Sequence, residues 1–121
     1  MKVGIVGSRR RDSNDDFLLV KKAFDLLFSS LNEEVTIVSG GAKEGGDSFA
    51  EILSLRYEVN FVRYKPLYRL YGKNATHVRN QKIADDSDIL IAAVAEDRTG
   101  GTESTIKKFL RHHDKSKLVL I

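Results

Sequence analysis

Short runs of β-branched and aliphatic residues alternate along this chain with longer segments of helical period. The run KVGIVG at residues 2–7 reads as a buried strand. The next segment carries Phe17, Val20, Phe24, Leu27 and Leu31 at helical spacing, one apolar stripe on a helix. Ser13 stands at its start with Asp16 three residues on, a capping-box arrangement. A second strand is expected over 34–39 and a second helix over 47–58, with Phe49, Ile52 and Leu53 on one face. A third strand follows at 59–64.

Residues 65–73, KPLYRLYGK, break the rhythm and read as a loop, with Tyr68 and Tyr71 as core, lid or stacking surface. A helix over 74–87 capped by Asn74 comes next. The continuous apolar run DILIAAVA at 88–95 has the composition of a central parallel strand covered on both faces. A helix capped by Thr102 then presents Ile106, Phe109, Leu110 and His113 at i, i+3, i+4 and i+7, and residues 117–121 close the chain as a fifth strand. β-α repeated four times and ended by a strand predicts one α/β Rossmann-like domain over residues 1–121. Its five-stranded parallel sheet has helices on both faces, and the strand order is taken as 3-2-1-4-5.

That order makes a functional prediction. Open α/β sheets bind ligands beyond the carboxyl ends of the strands, where the order reverses, here between the first and fourth strands. The loops leaving strands one, two and four are GSRRRDS, SGGAKEGGD and AEDRTGGTES, and the unusual glycine chemistry of the chain falls in these three. Bare backbone lets N–H groups approach an anion, and each loop runs into a helix N-terminus that favours negative charge. The expected ligand contacts are Gly7, Ser8 and Arg9 from the first loop. The second supplies Ser39, Gly40, Gly41, Gly45, Gly46 and Asp47, and the third Gly100, Gly101, Thr102 and Glu103. Arg9 or Arg10 is placed to add a bidentate contact from the first loop. The pairs Lys43–Glu44 and Asp97–Arg98 are weaker candidates, beside the bland reading of solvated charges.

Other fingerprints fail. GAKEGGDS puts Gly46 and Asp47 where a Walker A loop needs Lys and Ser/Thr. The first loop lacks G-x-G-x-x-G, and no acid ends the second strand to hold a ribose. With no cysteine, thiolate metal sites and disulfides are excluded. His112 and His113 have no third ligand near them in sequence, so no metal and no cofactor is expected. The charge of +3 and the cluster Ser8 to Arg11 leave nucleic acid as a lesser partner. No apolar run reaches the ~20 residues of a membrane span, and residues 1–10 enter a strand pattern without a signal-peptide core. A cytoplasmic location is the default expectation.

GSRRRDS, VSGGAKEGGDSFAE, HVRNQKIADDSDILIAA and GGTEST, in this order and spacing, resemble the SLOG superfamily. This Rossmann-like group includes the LOG phosphoribohydrolases and the Smf/DprA DNA-processing proteins. The likeness is nearest to small stand-alone members related to YpsA and YspA. It covers nearly the whole chain and implies a nucleotide or nucleotide-derived ligand, with a glycine-rich turn at Gly40, Gly41, Gly45 and Gly46 and a phosphate turn at Gly101 and Thr102. It also implies a homodimer, although no exposed apolar helix face in the sequence demands one.

In the LOG enzymes, which cleave a nucleotide N-glycosidic bond, a His-x-Arg segment supplies an active-site arginine, and Arg79 stands at that place. The LOG pattern Gly-Thr-x-Glu-Glu is not kept: Glu103 comes one residue early, and Ser104 and Thr105 stand where the acids belong. Ligand binding is therefore the primary expectation. An N-glycosidase using Glu103, Asp47 or Arg79 is the alternative, and a single-stranded DNA module the second. His77, about 200° around the helix from Arg79, is expected at the surface.

Overall fold

A computed structural model describes residues 1–42 and 44–121, so Lys43 of the Lys43–Glu44 pair lies outside the described residues. Among the described residues the chain forms five strands and five helices. The strands are β1 (Lys2–Gly7), β2 (Thr36–Ser39), β3 (Asn60–Arg63), β4 (Ile89–Ala93) and β5 (Leu118–Leu120). The helices are α1 (Asn14–Ser30), α2 (Gly46–Tyr57), α3 (Tyr68–Tyr71), α4 (Ala75–Asp86) and α5 (Gly101–Leu110). All strand pairings are parallel, as the alternation of elements predicts, and the order is β3-β2-β1-β4-β5, as expected.

The period-2 alternation of the central strands divides the core into two layers. Val3 and Ile5 of β1 and Ile91 and Ala93 of β4 face α1 and α2, where Phe17, Val20, Phe24, Phe49 and Leu53 meet them. Val6, Leu90 and Ala92 face the other way, onto Ile83 of α4 and Ile106 and Phe109 of α5. Residues 90–93 are buried throughout, which is why that run reads as uniformly apolar. No helix among the described residues is long and apolar enough to cross a membrane.

Several local expectations need correcting. Ser13 caps α1 with the full capping box to Asp16, but Asn74 and Thr102 cap nothing with their side chains. A 3-10 turn at Gly72–Asn74 leads straight into α4, so Asn74 already has a helical backbone and its side chain is not needed there. Gly100 takes the cap position of α5 and Thr102 falls inside its first turn. The supposed loop 65–73 contains α3, whose Tyr68 and Tyr71 are exposed rather than packed in the core. Ile52 is more exposed than its neighbours Phe49 and Leu53, because Ala50 takes the fourth position facing the sheet. α5 ends at Leu110, and His113 beyond it stacks on Phe109 with ring centroids 4.0 Å apart. α1 also leaves Leu18, Leu19 and Leu26 half or more exposed, an apolar face that the pattern did not single out.

Candidate functional site

β1 and β4 are adjacent, and from them the chain runs to opposite edges of the sheet, so the carboxyl ends of these two strands mark the topological switch point. Here the Ser8 amide donates to the Ala93 carbonyl at 2.9 Å, joining the strand ends. A cleft of about 540 Å³ opens beside them, within the range that holds small ligands. Gly7, Ser8, Arg9 and Arg10 enter it from β1, Ala42 and Asp47 from the β2–α2 segment, and Thr99, Gly100, Gly101 and Thr102 from the β4–α5 segment. The three loops therefore do meet at one place. α4 supplies a fourth wall with Thr76, His77, Arg79, Asn80 and Ile83, and α5 adds Ser104 and Thr105.

His77 is exposed, as expected, yet it and Arg79 both line the cleft, against the expectation that the helical turn keeps them from one ligand. The angular argument neglects reach: Arg79 is long enough for its Nη1 to donate to the Gly40 carbonyl at 3.3 Å, crossing from α4 to the end of β2. Its Nε donates to Asn80 Oδ1 at 2.9 Å.

The glycines of the three loops divide into two kinds. A side chain on Gly46 would collide with the backbone of Val6 and Gly7, and one on Gly45 with the Ser8 carbonyl. A Cβ at Gly40 would stand 2.7 Å from Arg79 Nη1 and 2.8 Å from Asp47 Oδ2, and one at Gly41 would meet the Arg63 side chain. These four glycines face protein and lie off the cleft lining, as does the buried Ser39. The start of α2 also has its own acceptors: Asp12 Oδ1 takes the Gly45 amide at 2.7 Å, and Asp47 Oδ2 the Ala42 amide at 3.0 Å. Gly100 and Gly101, by contrast, have nothing within 4 Å of where a Cβ would stand. Gly100 holds φ +109°, a conformation that keeps side chains away. The start of α5 is thus the open helix N-terminus of the site.

The charges sort in the same way. Asp47 lines the cleft, but Ser39 Oγ donates to its Oδ1 at 2.8 Å while Ala42 holds the other oxygen. Glu103 is off the lining and forms a two-pronged pair with Arg98, both contacts 2.9 Å. Arg98 reaches it from a left-handed backbone position, φ +55°.

Of the three consecutive arginines, Arg11 is a fold residue. It donates to Asp16 at 2.6 Å and to the carbonyls of Val94 and Ile121 at 2.8 and 2.9 Å. Burial alone would raise the Asp16 pKa, but the hydrogen bonds from Arg11 and Ser13 outweigh it and hold the carboxyl below its usual range. Arg10 bridges the mouth of the cleft to Asp97 (2.8 Å) and to the Thr99 hydroxyl (2.9 Å). The Arg10 hydrogen bond, with help from Thr99, brings the Asp97 pKa down to about 2. The exposed Arg9 has no hydrogen bond or ion pair among the described residues and lines the cleft.

Neither Tyr68 nor Tyr71 reaches the cleft; the Tyr71 ring lies under Lys82 instead, 5.9 Å from its ammonium. Sequence reading did not single out Thr76, Asn80 or Ile83, although their i, i+4, i+7 spacing is the signal of one helix stripe. Comparison with protein-family models, curated proteins and solved structures returns no match to this chain.

Proposed function

We propose that this chain binds a nucleotide or nucleotide-derived molecule in the cleft at the carboxyl edge of its sheet. The observation that carries the reading is the charge arrangement at the switch point. Arg9, Arg10 and Arg79 and the open start of α5 face a space whose one lining carboxylate, among the described residues, already has both oxygens bonded. An anion is the matching occupant. Its phosphate rests on the backbone at the start of α5, where nothing stands beside Gly100 and Gly101, rather than at Gly40, Gly41, Gly45 and Gly46, which face protein. Hydroxyls of Thr76, Ser104 and Thr105 in the same cleft suit a sugar. The resemblance to the SLOG superfamily points the same way.

Binding ranks above N-glycoside cleavage because no unengaged carboxylate faces the cleft among the described residues. Glycoside hydrolysis needs carboxyl groups at the reacting carbon. Glu103 is tied to Arg98, and a one-residue shift on a helix turns a side chain by about 100°. Single-stranded nucleic acid ranks third, since Arg10 and Arg11 of the basic cluster are engaged within the chain.

The test is a thermal-shift screen of the purified protein against nucleoside mono-, di- and triphosphates, cyclic nucleotides and ADP-ribose, with chromatography for released base. A ligand at a hundred times its dissociation constant stabilises by ~2.7 kcal/mol, several degrees for a domain of this size. A shift without free base is the expected result. A shift with base release replaces the reading by an N-glycosidase, and no shift with any nucleotide overturns it.

A further inference from the structure

Asn80 is only 6% exposed, yet it lines the cleft. Its amide orientation is set by chemistry: Arg79 Nε–H can only donate, so the Asn80 oxygen faces it at 2.9 Å and the NH₂ group turns the other way. That NH₂ has no hydrogen-bond acceptor among the described residues. The group keeps contact with the cleft rather than being sealed in the core, so an occupant of the cleft can supply the acceptor.

The neighbours narrow what the acceptor belongs to. Asn80 lies on the α4 stripe between Thr76 and Ile83, and Ile83 and Val6, both buried aliphatics of the α4–α5 layer, contribute apolar surface to the cleft. The groups suited to phosphate, Arg9 and the open α5 start, come from the two loops instead. A flat, weakly polar ring with an acceptor on its edge matches an aliphatic surface with one donor beside it. With its oxygen turned to Arg79, Asn80 presents its NH₂ to a ligand.

We infer that Asn80 is a specificity residue that donates from Nδ2 to a ring nitrogen or carbonyl oxygen on the base of the bound nucleotide; this rests on the nucleotide reading above. The rival role is indirect, with Asn80 merely holding Arg79 in place. Two variants separate them. Asn80→Ala removes both the donor and the acceptor for Arg79. Asn80→Asp keeps an acceptor for Arg79 Nε and removes only the donor, and its near-identical shape preserves the test should the alanine variant not fold.

The measurement is calorimetric titration of each protein with the four common nucleoside 5′-monophosphates and with ribose 5-phosphate. The ratio of nucleotide to ribose 5-phosphate affinity cancels any charge effect on the shared phosphate. The expected result is that both variants lose roughly tenfold or more of that ratio for the preferred base, while Asn80→Ala changes ribose 5-phosphate affinity by less than about twofold. A wild-type ratio in Asn80→Asp, or equal weakening of both ligands in Asn80→Ala, overturns the inference and leaves the nucleotide reading standing. A wild-type protein that binds none of these monophosphates overturns the inference, and it overturns the nucleotide reading as well when the wider screen of di- and triphosphates, cyclic nucleotides and ADP-ribose is also blank.

Discussion

Gly7 and Gly46 meet backbone to backbone: a Cβ on Gly7 would stand 3.0 Å from both the amide nitrogen and the Cα of Gly46. The end of β1 and the start of α2 approach closely because neither carries a side chain. Gly46→Ala therefore forces main chain apart within the core of the switch point, and neither partner is a flexible side chain that can yield. A loss of about 3 kcal/mol or more, and a melting temperature lower by ~10 °C, is expected in thermal unfolding. Gly101→Ala is the control, since its Cβ meets open space in a first helical turn. It is expected to leave stability unchanged or raise it by ~0.5–1 kcal/mol.

Arg79 spans from α4 to the Gly40 carbonyl and carries Asn80 on its Nε. Arg79→Lys removes the fork and the Nε bond together, so it is not a mild change. Both Arg79→Lys and Arg79→Ala are expected to weaken nucleotide binding roughly 10–100-fold by calorimetry, with the fold retained by circular dichroism.

The Glu103–Arg98 pair lies beside the cleft rather than in it. Glu103→Gln is expected to leave nucleotide affinity within about twofold of wild type and stability within ~1 kcal/mol, as for other surface pairs. If the substitution instead abolishes a measurable release of base, the binding-only account fails.

Asp97, held by Arg10 and Thr99, has its pKa lowered from 3.8 to about 2. The sign follows from the depressed value: the carboxylate form is favoured by the fold, its contribution is complete above the unfolded value near 3.8, and it fades as pH falls through about 2. The Arg10–Asp97 bridge at the cleft mouth should therefore persist at neutral and mildly acidic pH. A carboxyl titration followed by NMR is expected to find the Asp97 midpoint well below the usual carboxylate value. A midpoint at the ordinary value would mean that the bridge does not form in solution.

Much of this architecture is legible in the sequence because it rests on local pattern. The parallel sheet follows from the β-α alternation and the α1 cap from Ser13 and Asp16, while the meeting of three loops depends on a strand order that the alternation alone does not fix. What stands opposite a residue is not legible. Glycines at 40, 41, 45 and 46 announce bare backbone, but not that a β-strand, a carbonyl, two arginines and an aspartate fill the space beside them. The stripe of Thr76, Asn80 and Ile83 is hidden for a related reason. α4 is largely polar, and periodicity alone does not tell a face turned to solvent from one turned to a cleft. His77 and Arg79 show the limit of angular reasoning, since a long side chain reaches around its own helix.

The central claim is that the cleft beside β1 and β4 takes a nucleotide with its phosphate on the start of α5. Amide chemical-shift mapping during titration with a nucleotide that stabilises the protein tests it most directly. The account predicts the largest shifts at Gly100, Gly101 and Thr102, with the Asn80 side-chain amide moving alongside them, and small shifts at Gly45 and Gly46. Largest shifts at Gly45 and Gly46, or shifts confined to surfaces away from the cleft, would contradict it.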